Sequence, residues 1–249
     1  MKKTKLLIRT SKHFTIILAG IFILSSSSHA ARFGGGGSFG GGGGSETDKF
    51  IFGAGVTTAH QTDMNSWMSG TNQVGTQDLG SAWEFSVSYF HRVAGTIYEV
   101  GLRPSYFMQN ASGGGVSTNL NGYLLYPILR IYPLENSFIH FFMEVGMGYG
   151  QMSGTAGDSN TSASANFSAS AFGAEGGIGV DFCFTDTHCV TVEGMVRYHP
   201  LTRSIISSTT GTFSNNLSGT LNHELEYNGL DVQNTFSGVI GQMAYTYRF

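Results

Sequence analysis

The sequence predicts an all-β chain closing into an antiparallel, up-and-down transmembrane β-barrel of eight strands, and three observations carry that expectation. From Lys49 onward, segments of strand length set an apolar face against a face of glycine, serine and single charges. The connections are alternately long and short, roughly 21, 11, 16 and 31 residues after the odd-numbered segments against five to seven after the even ones, as in barrels with long outer loops and short inner turns. The N-terminus carries an export signal.

Five cations (Lys2, Lys3, Lys5, Arg9, Lys12) precede an apolar run from Phe14 to Leu24, and Ser28 and Ala30 supply the small residues of a cleavage site after Ala30. The run is about eleven residues, short of the ~20 that a spanning helix needs. The chain is therefore read as a signal peptide over 1–30, a Gly-rich flexible leader over 31–48 (ARFGGGGSFGGGGGS and the residues after it) and a barrel over 49–249. Without the five signal cations, 8 of the 13 basic residues remain against 16 acids, a net charge near −8, which excludes nucleic acid as a partner. The leader has no Lys-Ser/Thr after it and no strand before it, so it is no phosphate loop.

The first strand is read over Phe50 to His60, with Phe50, Phe52, Ala54 and Val56 on one face. The second runs Ala82 to Phe90, where Trp83, Phe85, Val87 and Tyr89 alternate with Glu84, Ser86 and Ser88. In the third, Thr96 to Phe107, Glu99, Gly101, Arg103 and Ser105 oppose the apolar set. The fourth, near Asn119 to Tyr132, is apolar on both faces, and Arg130 alone marks its inner side. The fifth (Phe138 to Gln151) and sixth (Ser168 to Phe182) place Glu144, Glu175 and Asp181 among glycines. The seventh, Val190 to His199, carries Glu193, Met195 and Arg197 on one face, and the eighth, about Asp231 to Phe249, ends in alternating aromatics. The sequence alone leaves eight strands against ten open.

Parity gives the orientation of each face. Aromatics cluster near strand ends on one face, while the other holds small residues and charges, the lipid-out, lumen-in pattern of a membrane barrel. Closure follows because an open sheet edge in hydrocarbon would leave backbone groups unpaired. Glu84, Glu99, Glu144, Glu175, Glu193, Arg103, Arg130 and Arg197 are thereby expected in the lumen as a charge network, since an eight-stranded interior is wide enough only for side chains. Cys183 and Cys189, an even pair in an exported chain, are expected to form a disulfide. The Ser/Thr/Asn/Gly-rich connections after the third, fifth and seventh strands are read as mobile outer loops.

The ending Ala244-Tyr-Thr-Tyr-Arg-Phe249 resembles the C-terminal signal of outer-membrane barrels, with Tyr245, Tyr247 and Phe249 as its aromatics. The segment Leu129-Arg-Ile-Tyr-Pro133, followed after a short turn by Phe141-Phe-Met-Glu-Val-Gly-Met-Gly-Tyr149, resembles the middle hairpin of the small opacity-like and outer-membrane-protein-W-like barrels. The resemblance covers about Lys49 to Phe249 and implies residence in the bacterial outer membrane, contact with its lipid and lipopolysaccharide, and insertion by the barrel assembly machinery, which reads the last strand.

Chemistry finds little support. The six histidines after residue 30 are scattered singly, without metal-ligand spacing, and no cofactor is expected. Eight-stranded lipid A deacylases place a serine two residues from a histidine; His199 is followed by Pro200 and Leu201, so the nucleophile is missing and no enzyme is expected. The function expected is structural or surface-interacting, with loops able to meet an extracellular ligand or host surface. A narrow channel for small solutes is the alternative, and inward Phe142, Tyr126 and Met195 argue against it.

Overall fold

A computed structural model describes residues 48–70 and 77–249; the expected signal peptide, and the leader except Asp48, lie outside them. Its strands in chain order are β1 (Asp48–Thr57), β2 (Ala82–Arg92), β3 (Tyr98–Gly113), β4 (Val116–Glu135), β5 (Ile139–Asp158), β6 (Ala163–Cys183) and β7 (His188–Tyr198). Six short pieces follow: β8 (Pro200–Leu201), β9 (Ile205–Thr210), β10 (Leu217–Ser218), β11 (Glu226–Tyr227), β12 (Leu230–Asp231) and β13 (Asn234–Thr235). The last strand is β14 (Gly238–Arg248), and one helix, α1 (Thr62–Gly70), lies between β1 and β2. Each of β1 to β6 pairs antiparallel with the next, and β14 pairs with β7 on one side and β1 on the other, closing an eight-stranded barrel.

Closure satisfies the backbone of every wall strand at membrane depth. The ends meet in register, Phe50 opposite Tyr247 and Val56 opposite Gly241, so Asp48 and Phe249 lie at the same end as the short turns after β2, β4 and β6.

The wall is uneven in height, and this corrects the sequence reading. β3 to β6 are 16, 20, 20 and 21 residues long, against 10 or 11 for β1, β2, β7 and β14. The expected loop after the third strand is strand almost throughout, turned by Gly114 and Gly115, whose φ of 61° and 84° suit a two-residue hairpin. The expected loop after the fifth shrinks to residues 159–162.

The Ser/Thr/Asn tracts misled because the amphipathic sense inverts partway up these strands. Toward the termini end, Leu125, Leu129, Met143, Val145 and Ile178 point outward and are exposed, while charges point in. Above Tyr123, Tyr149 and Phe172 the outward residues become Asn119, Ser153 and Asn166, and the inward ones become Leu120, Met152 and Phe167, all buried. The lower half is built for an apolar surround and the upper half for a polar one, so one alternation rule cannot read a whole strand.

The 199–237 connection is also fixed rather than free. β9 pairs with the upper part of β6, Ser164 opposite Thr210 and Ser168 opposite Ile205. Leu201, Ile206, Leu217, Leu225, Val232 and Phe236 pack, fully buried or nearly so, against the inner face of the tall wall. Residues 231–237, expected in the eighth strand, belong to this plug, because Val232 and Phe236 have apolar partners there. α1 lies in an expected loop; its Met64, Trp67 and Met68 stand at i, i+3 and i+4 and are buried. The Trp67 indole donates to the Ser214 carbonyl at 3.1 Å and meets the Phe213 ring edge-on.

Cys183 and Cys189 are bonded and stand opposite each other across β6 and β7. Their sequence separation of 6 closes a small loop, so reduction is expected to cost about 2 kcal/mol through chain entropy. Urea unfolding with and without reductant measures it; equal midpoints would refute the contribution.

Candidate functional site: the filled lumen

Parity places all eight expected charges inside, and each is buried. They do not form one ring. Two clusters sit at different heights, and an apolar layer lies above them.

At the termini end, Lys49 of β1 lies 2.7 Å from Glu99 of β3 and 3.7 Å from Asp181 of β6, and its ammonium also meets the Tyr132 hydroxyl. Asp181 accepts from Thr191 at 2.6 Å, Tyr132 at 3.2 Å and Arg248 at 3.3 Å. Side chains from six strands therefore converge on one cluster around the Lys49 ammonium. Lys49, Asp181 and Arg248 were outside the expected network. Lys49 and Asp181 carry a legible signal: they share the inward parity of Ile51 and Glu175, respectively.

The central cluster holds three guanidiniums and four carboxylates. Arg103 donates to Glu144 at 2.8 and 3.1 Å and to Glu193 at 3.2 Å, and lies 3.3 Å from Glu175. Arg130 donates to Glu144 at 2.6 Å and Glu193 at 2.8 Å, and its guanidinium carbon lies 4.2 and 4.0 Å from the ring centres of Phe90 and Phe142. Arg197 forks onto Glu84 at 2.7 and 2.8 Å and reaches Glu175 at 2.9 Å; Thr57 completes the shell of Glu84 at 2.9 Å. Planar forks suit carboxylates bidentately, and the flanking rings solvate the guanidinium faces.

One pair of charged register neighbours does not form an ion pair. Glu99 and Arg130 are register partners on β3 and β4, yet Glu99 pairs with Lys49, and Arg130 with Glu144 and Glu193. In a narrow lumen long side chains reach across the bore, so register neighbours do not fix ion partners. A double-mutant cycle on Glu99→Gln and Arg130→Ala is expected to be additive within about 0.5 kcal/mol, and one on Glu99→Gln and Lys49→Met to couple by about 1–3 kcal/mol. The reverse pattern would overturn this assignment.

Above the charges, Tyr126 meets His199 Nδ1 at 2.5 Å, and Phe236 lies 5.8 Å from the His199 ring and 4.2 Å from the Phe107 ring. His199 fits because Gly150 and Gly173 face it: a Cβ at Gly150 would lie 2.6 Å from His199 Nε2. Inward glycine is thus the spatial complement of inward His199. The residue two positions after His199 is Leu201, buried in the apolar plug.

Tyr245, Tyr247 and Phe249 point outward at the termini end; Phe249 stacks on Phe50 with ring centres 5.5 Å apart and on Tyr247 at 5.9 Å. Large outward side chains, among them Phe52, Trp83, Val145, Phe172 and Met243, are exposed by 51, 58, 54, 80 and 64%. They lie on different strands around the wall and form an exposed apolar band.

The geometry defines a closed antiparallel barrel with an apolar outer band and a bore lined by ion-paired and aromatic side chains. No family model matches the chain, and no curated protein matches its sequence. Among solved structures it is similar to a major outer membrane protein from Thermus thermophilus, at 15% identity and a TM-score of 0.50 over 81% of this chain and 99% of that one. It also matches the outer membrane protein OprG from Pseudomonas aeruginosa, at 14% and 0.48 over 82% and 96%. A third match is the outer membrane protease OmpT from Escherichia coli, at 11% and 0.38 over 82% and 94%. At these identities the Thermus likeness speaks for the barrel fold alone.

Proposed function

We propose that this chain is a bacterial outer-membrane protein with a structural or surface-interaction role, exported by a cleaved signal and inserted by the barrel assembly machinery with Tyr245, Tyr247 and Phe249 as its terminal signal. One observation carries the reading: the bore is crossed by Arg103, Arg130 and Arg197, each paired with carboxylates from other strands, beneath an apolar plug. A channel needs continuous water; here ion pairs and packed rings occupy that path. Lipid and lipopolysaccharide are its surroundings, and the far end is the part that would meet an extracellular ligand or host surface. Lipid A modification has no support from His199: its ring is buried against Tyr126, and the position two residues on, where the deacylases place a serine, is the buried Leu201.

Two measurements test the proposal. The refolded protein in a planar bilayer is expected to give no steady ohmic conductance, and a stable one would replace the plug with the channel. On intact cells, cysteine placed at Ser153 is expected to react with an impermeant reagent while cysteine at Asn136 stays protected; the opposite labelling would sink the orientation.

A further inference from the structure

We infer that Glu193 stands in the lumen as the neutral acid, with a proton on Oε1 held towards Gln242, so that the charge layer crossing the bore is a proton-binding site. The inference rests on the filled bore described above, not on the role proposed for the chain's outer end.

Charge balance is the first ground. The central cluster sets three guanidiniums, Arg103, Arg130 and Arg197, against four buried carboxylates, Glu84, Glu144, Glu175 and Glu193, one negative charge in excess. The neighbouring groups do not offset it. At the termini end Lys49 and Arg248 balance Glu99 and Asp181, and Arg92 at the mouth donates to Glu135 at 2.5 and 2.6 Å. The two histidines of inward parity supply no cation. His140 Nδ1 accepts from Arg248 at 2.5 Å, and His199 Nε2 is buried without a hydrogen bond, whereas an imidazolium needs acceptors at both nitrogens. An isolated charge is too costly to keep in a dry interior, and a carboxylate in excess takes up a proton instead.

Geometry says which carboxylate. Glu84 accepts an N–H of Arg197 on each oxygen, and Glu144 one of Arg103 on each. Glu175 accepts from Arg103 on one oxygen, at 3.3 Å, and from Arg197 on the other, at 2.9 Å. Glu193 takes both its N–H groups, from Arg103 and Arg130, on Oε2. Its Oε1 is buried with no hydrogen bond; Arg103 Nη2 lies 3.2 Å away, outside hydrogen-bond alignment. That is the pattern of an acid whose carbonyl oxygen accepts while its hydroxyl is left to donate. An acceptor stands opposite. Gln242 of β14 is the register partner of Glu193 and is buried with it; its Nε2 donates to Ser86 of β2 at 2.6 Å, while its Oε1 has no hydrogen bond. Directly opposed side chains on antiparallel strands are about 5 Å apart at Cβ, within reach of one O–H···O bond. Turning the amide over would give Glu193 an N–H and leave the excess charge in place, so the proton is needed either way. The remaining strands bring no further cation: β1 presents Gly53 beside Gln242, β5 presents Glu144, and β6 presents Glu175 and the register partner Gly179. The folded chain then carries a proton that the unfolded chain releases above the ordinary glutamate range, so the contribution of this site is lost as pH rises.

The test uses the full refolded chain in phospholipid vesicles, with the native disulfide intact. In infrared spectra at neutral pH the parent is expected to show the carbonyl stretch of a protonated carboxylic acid, shifted by deuterium oxide and missing from Glu193→Gln. No such band, or a band that survives in Glu193→Gln, would overturn the inference. Urea unfolding supplies the second readout. Glutamine is the isostere of the neutral acid, so Glu193→Gln should unfold at the parent's midpoint near neutral pH while Glu144→Gln unfolds earlier. Between about pH 6 and about pH 8 the parent's unfolding constant should rise at least about tenfold more than that of Glu193→Gln, one proton giving tenfold per pH unit. Parallel pH curves would sink the proton site, and so would equal losses in the two glutamine variants. Planar-bilayer conductance keeps the premises apart: a conducting parent removes the filled bore and this inference with it, while a non-conducting parent without the band removes this inference alone.

Discussion

Replacing Arg103 with methionine is expected to lower the barrel's unfolding free energy by about 3–5 kcal/mol, because the change leaves charged groups buried without their counterion. Arg103 touches Glu144, Glu175 and Glu193 and donates to Ser88 at 3.3 Å, with all four side chains shielded inside the bore. Methionine fills similar space, so the loss is electrostatic rather than a cavity. Arg103→Lys keeps the charge but not the fork and should fall between. Arg203→Ala is the control, since its exposed pair with Glu224 is screened by solvent and should leave no measurable change. Reversible urea unfolding in micelles or vesicles reads all three. An Arg103→Met protein as stable as the parent would mean that water reaches the cluster, and would revive the channel.

Phe236→Ala is expected to cost a similar amount, about 3–5 kcal/mol, by a different mechanism. The ring is fully buried and touches Phe107 and His199, and it lies over Gly122, where a Cβ would come 2.5 Å from its tip. Truncation leaves a void that the strand backbones around it cannot close. Gly122→Val should therefore be destabilising too, by overpacking the same spot. Conductance of Phe236→Ala should stay at background, since the three arginines still cross the bore beneath. A channel opened by this change alone would show that the plug, not the charge layer, closes the protein.

How far the sequence could be read differs between the halves of the molecule. In the lower half the alternation has one sense, and it assigned every glutamate and arginine of the central cluster to the lumen. Lys49 and Asp181 fell on the same parity and were left out of the network. In the upper half the alternation continues, but polar residues face out and apolar ones in. Ser112, Ser117, Ser153 and Asn166 then look like loop composition, although they belong to strands with cross-strand partners. No local signal marks where the surround changes, apart from the exposed rings of Tyr123, Tyr149 and Phe172 at the boundary. The 199–237 segment was harder still. Its strands are two to six residues long and owe their shape to the wall they lean on.

By itself the sequence determined the fold class, the order of the wall strands, the direction of each face in the lower half, and the cysteine pair, because period-2 patterning and turn spacing are local quantities. The tertiary structure alone decided which carboxylate each cation meets, how high each strand rises, and that the long last connection folds back as a plug. Those depend on distances across a closed bore, where Lys49 on β1 can reach Asp181 on β6 and Arg130 can bypass its register neighbour Glu99. Side-chain reach and the shape of the lumen set those contacts, and neither is encoded in the order of residues along any one strand.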